Sequence, residues 1–78
     1  MRIEIINVQV ADGVEIALAN ALNHYAHGIL PRLTAEVLEV EPGVVPLKVY
    51  GYRDSDFQRL RARIREIAVE AGLKRYVA

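Results

Sequence analysis

The stretch from Gly51 to Gly72 constrains this chain more than any other. Apolar residues recur at Phe57, Leu60, Ile64, Ile67, Ala68 and Ala71, the stripe of an amphipathic helix of about five turns. Asp54 and Asp56 put negative charge where the helix dipole is positive. Ser55 and Gln58 have the spacing of a capping box, so the helix is expected to be capped at Ser55. Gly72 supplies the stop, because glycine enters the left-handed conformation without a steric cost. Such a helix has one dry side, and in a chain of 78 residues the remaining segments must cover it.

Those segments read as strands and one more helix. Met1 to Val10 is rich in Ile and Val and is expected to be a strand. Ile3 and Ile5 share one face, Ile6, Val8 and Val10 the other, which implies a bulge or a strand covered on both faces. The second option suits the sheet centre. Asp12-Gly13 breaks this strand, with Asp12 the expected cap of a helix running to about Ile29. Its stripe is Val14, Leu18, Leu22, Tyr25 and Ile29, and Gly28 and Pro31 end it. Ala17 and Ala21 would let it approach the sheet closely, while Ile16 falls on its far side. Leu33 to Val40 is a second strand whose glutamates, with Glu41 just beyond, suit an edge. Glu41-Pro42-Gly43-Val44 has the residues of a type II turn. Pro46 has no N–H to donate, so the third strand is expected from Leu47, with Leu47 and Val49 toward the helices and Lys48 and Tyr50 away. Leu73–Val77 is a short fourth strand or a tail. The expected architecture is a single α+β domain, residues 1–78, of order β-α-β-β-α with or without a final β. That is an open sandwich of ferredoxin-like type, two helices on one face of a three- or four-stranded sheet.

Composition narrows the function classes. The chain is 53% hydrophobic and has no cysteine, which excludes disulfides, thiolate metal sites and thiol nucleophiles. No apolar run approaches the ~18 residues of a membrane span, and the N-terminus lacks the shape of a signal peptide. A cytoplasmic protein with no membrane partner is expected. Net charge is zero but unevenly placed: residues 1–50 hold three basic and six acidic side chains, residues 51–78 seven and four. No large uniform field draws in nucleic acid.

Few residues carry chemistry. His24 and His27 stand at i and i+3, a spacing that can share a metal, yet no third ligand lies near, and both read as solvated surface histidines with no metal or cofactor. Arg59 with Arg63, and Arg61 with Arg65, are like-charged pairs flanking the apolar stripe, an order not chosen for helix stability. They are the candidate partner-binding residues, for an acidic protein surface or for the phosphates of nucleic acid. The alternative is that their stems cover the core edge while their heads stay in water. The tyrosines lack the adjacent-strand placement of an RNA-stacking platform. No nucleophile–base pair or glycine-rich phosphate loop is present, and Asp12-Gly13-Val14 lacks the arginine of acylphosphatases, so no catalytic residue and no enzyme is expected. Ile6, Val8, Val10, Leu38, Val40 and Tyr50 are read together as an apolar sheet face turned from the helices, which implies a homodimer or larger oligomer, as in a structural or phage-borne subunit.

The order of elements and several residues resemble the DinI family, small DNA-damage-inducible modulators of RecA. The resemblance rests on Met1-Arg2-Ile3-Glu4, on Ala17-Leu18-Ala19 with Leu22, on Pro31, on Leu47, Val49 and Gly51, and on Asp56, Gln58-Arg59, Glu66 and Ala71. It runs without gaps from Ala17 to the end, at about a fifth to a quarter identity, a level at which fold transfers better than function. It implies a non-catalytic regulator of the SOS response that binds a RecA filament. The second helix of that family ends strongly acidic and meets the filament through that surface. Here four arginines occupy the helix and Lys74-Arg75 follows, so no acidic patch carries over.

Overall fold

The computed structural model describes residues 1–25, 29–73 and 75. Five elements follow in order: β1 (Arg2–Gln9), α1 (Glu15–His24), β2 (Thr34–Val37), β3 (Val44–Gly51) and α2 (Asp54–Glu70). The protein is of the α+β class, a three-stranded antiparallel sheet with two helices. β3 is central, between β1 and β2. The expectation that the first strand lies in the sheet centre is therefore corrected. β1 is an edge, and the strand buried on both sides of its ladder is the one richest in Val and Leu.

The register decides which residues are dry. Arg2 pairs with Gly51, Glu4 with Val49, Ile6 with Leu47 and Val8 with Val45, while Ala35 and Val37 of β2 meet Val49 and Leu47. Val45, Leu47 and Val49 are fully buried under Leu18 and Leu22 of α1 and Leu60, Ile64 and Ile67 of α2, so both helices cover one face. The opposite face carries Ile3, Ile5, Lys48, Tyr50, Thr34 and Glu36 and stays open.

Pro46 lies inside the central strand rather than before it. Its carbonyl accepts from the Leu38 amide at 2.9 Å, so its missing N–H would face the same side, just past the end of β2. The proline costs only the reciprocal bond to Leu38, at the point where the neighbouring strand stops. β2 is accordingly only Thr34–Val37, shorter than the expected Leu33–Val40. The turn before β3 forms with Gly43 at φ 75°, and Glu41 and Val44 exchange both backbone hydrogen bonds.

The helix starts differ from the expected ones. α2 begins at Asp54 with Arg53 as its extended N-cap and no side-chain cap bond, so Ser55 lies in the first turn, exposed. Arg2 of β1 pairs with the Asp54 carboxylate in the first turn while stacking 4.5 Å over the Phe57 ring. α1 is capped at Val14, not Asp12, and spans only ten residues; Ile29, expected at its end, is buried beyond it. Ala21 packs against the core as expected and Ala19 is buried in it, whereas Ala17 is exposed. Ile16 is 64% exposed, on the far side as the periodicity requires.

The end of α2 is a Schellman motif. Leu73 N–H donates to the Ala68 carbonyl at 2.7 Å and Gly72 N–H to Val69 at 3.0 Å, with Gly72 at φ 75°. Nothing lies within 4 Å of a Cβ built on Gly72, so only the backbone conformation demands glycine. Gly72→Ala is expected to lower stability by about 1 kcal/mol, read as a shifted urea midpoint at constant slope. The fourth-strand reading of Leu73–Val77 falls largely on residues outside those described; Leu73 itself packs against the core.

Candidate protein-binding face of α2 and β1

The four arginines of α2 do not act as one set. Arg63 is half-buried and committed: its Nε donates to the Ile29 carbonyl at 3.0 Å, one terminal nitrogen meets Glu66 at 3.0 Å, and its guanidinium lies 5.1 Å from the Tyr25 ring centroid. Arg63 thus fastens α2 to the segment after α1. Tyr25 completes the junction by donating its hydroxyl to Glu70 at 2.6 Å, and that carboxylate holds the phenol above its usual pKa.

Arg59, Arg61 and Arg65 are exposed, and no carboxylate pairs with them among the described residues. Arg61 and Arg65 hang toward β1. With Ile64 and with Ile6, Asn7, Val8 and Gln9 they line a groove of about 300 Å³. The groove exists because β1 is an edge strand under the flank of α2: its floor is Ile6 and Val8, and its rim is two guanidinium groups one helical turn apart.

The expected oligomer face is corrected by this geometry. Val8 is 7% exposed, and Ile6 and Val10 pack against the same core, all on the helix side. Val40 also packs inward, whereas Leu38, opposite Pro46 and in phase with Thr34 and Glu36, and Tyr50, its hydroxyl 3.4 Å from Glu36, stand on the open face. Alternation alone does not say which parity is dry. Asn7 and Gln9, in phase with Ile3 and Ile5, were the signal that this parity is the wet one. Besides Leu38 and Tyr50, the open face presents Ile3, 49% exposed, and Ile5, 56% exposed.

His24 is exposed and stacks edge-on with Tyr25 at 5.1 Å, while His27 lies outside the described residues. Among the described residues no group of three or more His, Cys, Asp or Glu could hold a metal, and no helix is long and apolar enough to cross a membrane.

Sequence reasoning missed one clasp at the far end of the sheet. The Glu15 carboxylate accepts from the Gly13 amide at 2.6 Å and the Gly43 amide at 3.2 Å, joining the β1–α1 turn to the β2–β3 turn. Its own backbone amide and that of Gly43 do most to hold this carboxyl below the usual glutamate range. A lowered folded-state pKa stabilises above the unfolded value, and that stability is lost as pH falls through the folded value. The difference in Tm between the wild type and Glu15→Gln is therefore expected to be full at neutral pH. It should close progressively below about pH 4.3. A thermal melt series from pH 7 downward checks it.

The elements and the groove define a small α+β protein with an exposed, arginine-rimmed edge strand. Compared with protein-family models, curated proteins and solved structures, the chain gives no significant match in any of the three.

Proposed function

We propose that the chain is a small non-enzymatic regulatory protein of DinI-like, ferredoxin-like type that works in the cytoplasm by binding a protein assembly of the RecA-filament kind during the DNA-damage response. The observation that carries the binding reading is the pair Arg61 and Arg65. Long charged side chains that pair with no carboxylate among the described residues, beside an apolar groove and a strand edge that no described residue covers, are the parts of a protein-recognition surface. The resemblance in element order and in the residues of both helices supplies the partner class. The exposed arginines of α2, where that family carries an acidic surface, favour an acidic part of that partner as the contact.

Co-sedimentation tests this. The chain is expected to pellet with RecA-coated single-stranded DNA and not with naked DNA, and Arg61→Gln with Arg65→Gln should reduce the pelleted fraction at least tenfold. Arg63 is left intact in that experiment, because its replacement would loosen the Ile29 and Tyr25 junction. A second reading, nucleic-acid binding, is favoured by Arg59, which is exposed on the same helix and pairs with no carboxylate among the described residues. Binding to naked DNA with a steep salt slope would select it.

A further inference from the structure

Resting on the protein-binding reading above, we propose that the open edge of β1 takes an extended acidic peptide segment as an added strand, with carboxylates at alternate positions held by Arg61 and Arg65. The backbone sets the first half of this. Val10 N–H donates to the Gly43 carbonyl at 2.9 Å, so the even-numbered residues of β1 are the ones bonded to β3. Alternation then sends the N–H and C=O groups of Ile3, Ile5, Asn7 and Gln9 outward. Pro46 agrees: it lies opposite Asn7 and turns its carbonyl to Leu38, away from β1. Among the described residues, no strand or loop bonds to that outward row.

Side chains set the second half. An added strand would turn alternate residues to the helix side, above Ile6, Val8 and Ile64 and under Arg61 and Arg65. Alternate strand residues are about 6.6–6.8 Å apart. Arg61 and Arg65 are separated by a rise of about 6 Å along the helix. Two acidic residues with one residue between them therefore match two guanidinium groups, each able to bind a carboxylate through two nitrogens.

Charge chooses this occupant over others. Pairing β1 with β1 of a second copy would lay two α2 helices side by side and bring Arg61 and Arg65 against their counterparts. The chain's own Lys74-Arg75 segment has the same sign as the groove. A nucleic-acid strand offers phosphates to the arginines, but its backbone is an acceptor and leaves the outward carbonyls of β1 unanswered. A peptide supplies donors and acceptors in the required alternation.

The probe is a capped peptide of alternating valine and glutamate, with glutamine in place of glutamate as its control. Binding is followed by calorimetry and by amide exchange. The glutamate peptide is expected to bind and to slow exchange at Ile5, Asn7 and Gln9, whose amides are expected to exchange fast in the free protein. The glutamine peptide, and Arg61→Gln with Arg65→Gln, should each weaken binding at least tenfold. Asn7→Pro removes an outward N–H that β3 does not use, and should weaken binding tenfold with Tm little changed. The same question is put from the ligand side by methylating alternate backbone nitrogens of the peptide, with the same loss expected. Protection of Ile5 and Asn7 in the free protein would overturn the proposal, since the edge would then be occupied by the chain or a second copy. So would full-strength binding of the methylated peptide, or capture of single-stranded DNA in the groove in place of the peptide. Filament binding that survives Asn7→Pro removes this inference and leaves the regulatory reading standing; peptide binding without filament binding does the reverse.

Discussion

Val8→Asp is expected to remove a large part of the chain's stability. Val8 is 7% exposed, faces the helices and sits directly across from fully buried Val45. Its replacement forfeits about 1.5–3 kcal/mol of apolar burial. It also places a carboxylate in a dry site with no hydrogen-bond donor in line, a cost of at least about 2 kcal/mol more even if the group is protonated. A domain of this size has a total stability of about 4–12 kcal/mol. Far-UV circular dichroism and a urea titration read the result. A folded variant with an unchanged midpoint would mean that β1 turns its even-numbered residues to water, and the register of the sheet would be wrong.

Leu60→Ala is the second large effect. Leu60 is fully buried at the centre of the α2 stripe, where it shares the core with Leu18, Leu47 and Ile67. Truncation removes its transfer free energy and leaves a cavity that two packed layers close only in part, for a loss of about 2–5 kcal/mol. Ile16→Ala is the internal control. It deletes as much hydrocarbon from α1 at a position 64% exposed, and its effect should stay within about 0.5 kcal/mol. Equal effects from the two would contradict the assigned faces of the helices.

The same two residues show what was legible in the sequence. Both fall where a 3.6 period puts them, because a helix interprets its own pattern: the stripe and its stop at Gly72 depend on neighbours within one turn. Strand faces are not local in that sense. Ile3, Ile5, Ile6, Val8 and Val10 offer apolar residues in both phases, and only the pairing with Val45, Leu47 and Val49 selects one. The helix starts failed for a related reason. Asp12 and Ser55 are good local caps, but the helices start two residues away, where contacts made across the fold, Glu15 to Gly43 and Arg2 to Asp54, join the first turns to other elements. At the candidate site, the four arginines were visible as a set. That one of them is tied to the Ile29 carbonyl, and two others overhang an open edge, needed the arrangement of α1 and β1 around α2.

The central place of β3 bears on how the chain is made. β2 and β3 form a hairpin of short loop length, available as soon as both leave the ribosome. β1 has no such neighbour: Arg2 waits for Gly51, and the cover for Ile6 and Val8 comes from α2, later still. At about 5–20 residues per second, that interval is roughly a few seconds. Throughout it an Ile- and Val-rich segment is in water with both edges bare. Nascent β1 is thus the segment on which a chaperone, or a neighbouring nascent chain, would first act.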